Sequence, residues 1–135
     1  MRSTLLLAIR RVGIAVSLVT TLAPESSGPR PLALRIECPG GDCSLLKGVP
    51  QTAGMRSGFV RLKPDETVGW HTTGKNEEAL VILHGQGVAL MEGLETQKLT
   101  APALAYIPPG TRHNVSNTGN EPLEYVYVVT PAAAK

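Results

Sequence analysis

Aromatic side chains are scarce in this chain: one Phe, one Trp and three Tyr among 135 residues. That is too few for a base-stacking platform. There is also no run of Lys or Arg, so no stripe exists to track a phosphate backbone, and nucleic acid is excluded as a partner. Charge of one sign is missing from the body. Arg2, Arg10 and Arg11 account for the formal net charge of +2, and from Pro24 onward ten basic residues face eleven acidic ones. No apolar run is long enough to span a bilayer; Val12–Ala23 is the longest, and twelve helical residues reach only about 18 Å. Histidine is limited to His71, His84 and His113, and cysteine to Cys38 and Cys43.

Glycine and proline, by contrast, are plentiful, at fourteen and eleven residues. Such punctuation leaves little room for long helices and favours short strands joined by turns. The length suits one domain. Residues 1–23 read as an export leader, with a basic start, an apolar stretch and Thr21-Leu22-Ala23 as a cleavage site. Pro24 behind that site is unfavourable for cutting. An extended start of a cytoplasmic protein, or an amphipathic helix, is the alternative. Residues 24–31 read as a linker, and the domain is expected over 32–131. Cys38 and Cys43 frame Pro-Gly-Gly-Asp; this spacing is not that of a zinc or thioredoxin pair. A disulfide is expected if the chain is exported, and two free thiols if it is not.

Strands are expected near Leu32–Cys38, Cys43–Lys47, Met55–Lys63, Thr67–Thr73, Glu78–His84, Gly87–Met91, Thr96–Leu99, Leu104–Ile107, Arg112–Asn117 and Leu123–Thr130. The separators carry the Gly, Pro, Asn and Asp that turns require. Gly85-Gln86-Gly87 is expected to be a hairpin turn, because no helix follows it to cradle a phosphate. Ten short strands imply an all-β sandwich or barrel. In Leu123–Val129 both faces are apolar, which suits a strand inside a sandwich or at a subunit contact.

His71 and Thr73 lie two residues apart on an expected strand and so share a face. After a Gly-Lys-Asn turn, Glu78 opens the next strand, expected to return beside the first. His113 sits on a third strand. Two imidazoles and one carboxylate form a set that holds a divalent first-row metal with positions left open. His84, six residues beyond Glu78, is too far along the strand to join and is expected near solvent. Trp70 should point away from His71, into the core or an interface. Core packing is the default for Tyr106, Tyr125 and Tyr127. Asn114-Val115-Ser116 matches a glycosylation acceptor but falls inside an expected strand.

These residues carry a resemblance. Asp65, His71, Thr73, Glu78 and Gly85 follow the first motif of the cupin superfamily, G-x5-H-x-H-x3,4-E-x6-G. Pro108, Gly110, His113 and Asn117 follow the second, G-x5-P-x-G-x2-H-x3-N. The sequence departs from them at Asp65 and Pro102, which stand where glycines are expected, and at Thr73, which replaces a histidine. The resemblance implies a jelly-roll β-barrel, often a homodimer, with a metal held by His71, Glu78 and His113. Glu77 competes with Glu78, but the distance to Gly85 selects Glu78. Thr73 leaves three good ligands instead of four and one position open to water or substrate; Thr73 itself is taken as a substrate-binding position. Fe, Mn, Ni or Zn would suit such a site. The expected function is a metal-dependent enzyme of dioxygenase, isomerase or lyase type acting on a small oxygenated molecule. The alternative is a non-catalytic barrel that binds a small ligand or a metal.

Overall fold

The computed structural model of the protein describes residues 28–133; the proposed leader lies outside them. Nine strands follow in order: β1 (Cys43–Lys47), β2 (Arg56–Leu62), β3 (His71–Thr72), β4 (Asn76–His84), β5 (Gln86–Met91), β6 (Gln97–Thr100), β7 (Ala103–Ile107), β8 (Arg112–Asn117) and β9 (Leu123–Pro131). They form a five-stranded sheet in the order β1-β2-β9-β4-β7 and a four-stranded sheet in the order β3-β8-β5-β6. Every pairing is antiparallel. This is the all-β, two-sheet barrel expected from the sequence, and among the described residues there is no helix.

Alternation explains the closure. On β4, Leu80 and Ile82 are buried while Val81 and Leu83 face outward. On β5 the buried set is Gly87, Ala89 and Met91, and on β8 it includes His113, Val115 and Asn117. The two inner faces meet in one core, which also takes Leu62, Leu99, Ile107 and Leu123. β9 lies between β2 and β4, with a partner on each side along most of its length. Its density of β-branched and aromatic residues suits a central strand.

Three expectations need correction. Leu32–Cys38 is not a strand: it has no regular structure and pairs with no strand, and Leu32, Leu34 and Ile36 are about half exposed. Alternation alone does not make a strand: the segment must also pair with a neighbour, and this one pairs with none of the nine strands. Second, the chain around Gly85 is not a hairpin turn. β4 and β5 lie in different sheets, so the link is a corner between them. A side chain on Gly85, which has φ +78°, would strike the Pro122 carbonyl oxygen. Third, β3 and β4 are not a paired hairpin. β3 pairs with β8, and β4 pairs with β7 and β9. A two-residue β3 followed by a turn through Gly74 (φ +56°) carries the chain from one sheet to the other instead of folding it back.

Several local devices hold the corners. Asp65 has φ +66°, the left-handed conformation that the motif's usual glycine would adopt freely. Asn117 is buried and donates to the Leu62 and Glu121 carbonyls while accepting from the Gly119 amide. Cys38 and Cys43 are joined in a disulfide, with 5.6 Å between their Cα atoms.

Candidate metal centre

His71 and His113 face each other across the β3–β8 pair, with ring centroids 4.1 Å apart. Glu78 arrives from the opposite sheet, where it sits in register with Val129 on one side and Ile107 on the other. One donor atom from each of these three residues lies within 4.8 Å of the others. The cluster therefore closes the barrel from both sheets. His113 is fully buried and Glu78 nearly so, while His71 stands at the exposed mouth.

Hydrogen bonding sets the chemistry of both rings. Nδ1 of His71 lies 2.9 Å from the Gly69 carbonyl oxygen, and Nδ1 of His113 lies 3.3 Å from that of Thr111. A carbonyl only accepts, so each neutral ring carries its proton on Nδ1 and leaves a lone pair on Nε2. Such outer partners orient metal-binding imidazoles. At His113 the consequence is sharp. Nε2 is buried with no hydrogen-bond partner, and the Glu78 carboxylate stands 3.3 Å away. Two acceptors then face each other in a buried place, which is costly unless a cation sits between them.

A proton or a metal ion would serve. Burial pushes the His113 pKa down, but the Glu78 carboxylate and the Thr111 carbonyl push it up and prevail, so it lies above the ordinary histidine value. The donor set of two imidazole nitrogens and one carboxylate also fits a divalent first-row metal. The residues present thus fit the group.

Thr73 is placed differently from the two histidines. It is buried, its hydroxyl donates to the Pro108 carbonyl oxygen at 2.9 Å, and the Thr73 hydroxyl oxygen in turn accepts from the Thr111 amide at 3.0 Å. The hydroxyl thus stitches β3 to the turn that precedes His113, although the residue still lines the cavity. His84 is exposed at the far end of β4, bonded to the Pro122 carbonyl and 3.6 Å from Glu121. Glu77 pairs with the Tyr106 hydroxyl on the outer face. Asn114 is buried and accepts from Thr67 and Gly69, so it serves the structure and not a glycan. Trp70 is not in the core: it is about half exposed, its ring 5.0 Å from the Arg112 guanidinium.

The cluster opens into a cavity of about 590 Å³. Its walls are largely apolar, with Val60, Val115 and Val129 among them, and two tyrosines, Tyr125 and Tyr127, contribute from β9. Burial raises the Tyr125 pKa well above the ordinary phenol value, helped by the Glu78 charge, so this hydroxyl stays protonated. One charged wall residue escaped the sequence reading: Arg56. The signal was present in the alternation of Arg56, Gly58, Val60 and Leu62 along β2, which puts all four on one face.

A two-sheet antiparallel barrel with a two-histidine, one-carboxylate cluster at its mouth is the class that fold and site define. The chain belongs to the cupin family: the Cupin domain matches residues 58–129, more than half of the sequence. Over 89 residues it is 30% identical to the tetracenomycin polyketide synthase protein TcmJ of Streptomyces glaucescens. That match covers 64% of this chain, which spans only 59% of the length of that relative. Among solved structures, a cupin protein from Bacteroides fragilis superposes with a TM-score of 0.61 at 19% identity, covering 79% of this chain and 87% of the other. A Cupin 2 conserved barrel domain protein from Salinispora arenicola superposes with a TM-score of 0.58 at 22% identity, covering 80% and 92%. These two likenesses are of fold.

Proposed function

We propose that this cupin is a metal-dependent enzyme acting on a small oxygenated molecule, with His71, Glu78 and His113 as the metal ligands. The observation that carries the proposal is the buried, unpartnered Nε2 of His113 facing the Glu78 carboxylate. Bound at these three residues, Fe(II), Mn(II), Ni(II) or Zn(II) would supply Lewis-acid polarisation of a chelated carbonyl or enol oxygen.

The chain's own groups have separable roles. The Gly69 and Thr111 carbonyls each occupy an Nδ1 and so hold the tautomer that leaves the Nε2 lone pair for a ligand bond. The valines and Tyr127 of the cavity wall exclude water from the ligand. The Tyr125 hydroxyl, kept protonated by burial, is a hydrogen-bond donor and not a base. Similarity to a polyketide synthase protein supports an oxygen-rich substrate, since polyketide chains carry the carbonyl and enol oxygens that such a site would chelate.

A specific observation favours a second reading, a barrel that binds without turnover. Thr73 spends its hydroxyl on the backbone, so it offers no spare acid–base group beside the three ligands.

Metal analysis of protein purified without chelator, followed by titration, tests the proposal. We expect one equivalent of divalent metal. His113→Ala and His71→Ala should each weaken binding by more than about 100-fold, since even outer partners of a ligand are worth 10–100-fold. A wild-type protein with no metal affinity would overturn it. Oxygen uptake with catechols and diketones, read beside product analysis for isomerised or cleaved ligand, separates the enzyme from the silent barrel.

A further inference from the structure

The cavity has a cation facing its candidate metal centre. Arg56 on β2 is in register with Val129 on β9, and Val129 is in register with Glu78 on β4. Directly opposed residues of neighbouring strands share a face. Arg56 and Glu78 therefore stand at the two ends of one inward row, separated by two strand spacings, about 10 Å. Both line the cavity.

Arg56 is exposed, and among the described residues no hydrogen bond or ion pair holds its guanidinium. Its stem is nonetheless placed. A side chain on Gly48, which has φ +82°, would meet Arg56 Cγ at 3.2 Å, so the glycine leaves room for the methylenes. The guanidinium is permanently charged and suited to bidentate contact with a planar oxyanion. The walls near it are the apolar side chain of Val129 and the ring of Tyr127, which lies so close over β2 that any side chain at Gly58 would collide with it. Such walls strengthen a charge pair relative to open water.

We infer that Arg56 is the anion anchor of this pocket and that the ligand is a small carboxylate bearing a single ring. Its carboxylate would meet Arg56, its ring would lie along Val129 and Tyr127, and an oxygen donor at its far side would reach His71, Glu78 and His113. The spacing of about 10 Å between the two backbone anchors suits one ring between the polar ends. The inference deepens the metal-enzyme reading and rests on it only for the far contact.

The test compares 4-hydroxybenzoate with its neutral analogue, 4-hydroxybenzamide, by calorimetry and ligand-observed NMR. It uses the zinc-loaded and the metal-free full chain. In wild type the carboxylate should bind at least about tenfold tighter than the amide in both forms, as a charge-assisted bidentate contact predicts. Arg56→Gln should bring the two ligands level, Arg56→Lys should recover part of the preference, and zinc affinity should be the same in all three proteins. Equal binding of acid and amide, no binding of either, or a preference untouched by Arg56→Gln would overturn the inference. If zinc fails to bind wild type, the metal reading falls while the metal-free comparison still decides the role of Arg56.

Discussion

At one end of the barrel the inward residues of β2, β4 and β9 are Leu62, Ile82 and Leu123; at the other, the same strands present Arg56, Glu78 and Val129. The first end is dry and closed, with Leu123 and Leu99 wholly buried beside Ile82. The second opens into the cavity and carries the charged groups Arg56 and Glu78 among apolar walls. Both ends use one backbone register. What differs is whether the inward position is filled by a hydrocarbon that needs only neighbours or by a group that needs a partner. The closed end is where stability is stored, and the open end is where binding is arranged.

Substitutions can break that contrast. The largest stability effect is expected at the closed end: Leu80→Ala or Ile82→Ala should cost about 2–5 kcal/mol in urea unfolding, by lost burial and an unfilled cavity. Glu78→Gln, at the open end of the same strand, should cost far less and yet abolish most metal affinity. If Glu78→Gln destabilises the fold as much as Leu80→Ala, the division fails.

Thr73 tests the border between the ends. Thr73→Ala removes the acceptor of the buried Thr111 amide and should cost about 1–3 kcal/mol, while Thr73→Ser should restore most of it. Metal affinity should stay close to wild type in both. A loss of metal equal to that of His113→Ala would make Thr73 part of the ligand set.

The pH dependence sharpens the comparison further. In the metal-free protein the folded-state pKa of His113 is raised, so folding favours the protonated ring. Its contribution is fully present below the unfolded value of about 6.5 and is lost as pH rises through the higher folded value. The urea midpoint of metal-free wild type should therefore fall over that window, and His113→Gln should flatten the fall. The smallest effect belongs to His84 at the closed end. His84→Gln removes an exposed pair with Glu121 and should change stability by less than about 0.5 kcal/mol, with metal affinity untouched.

Much of this was legible in the residues. Turn punctuation and alternation located nearly every strand, because both are properties of neighbouring residues. The two motifs placed His71, Glu78 and His113 on three separate strands, and the structure brings these side chains together. The errors share a cause. Leu32–Cys38 alternates like a strand but pairs with no edge of either sheet, and the turns at Gly74 and Gly85 look local although each passes the chain between sheets. Trp70 could be read only as core or interface, because the neighbour its ring meets, Arg112, lies forty-two residues away in the chain.

Local chemistry by itself decided the all-β character, the strand periodicity and which side chains could act as donors, since these follow from side-chain type, φ preference and a period of two. Tertiary structure alone decided which strands are neighbours, that Glu78 approaches the two imidazoles from the opposite sheet, and that Arg56 shares a row with Glu78. Pairing and register are contacts between distant segments, selected by burial of the whole inner surface, and no short stretch of sequence carries that free energy.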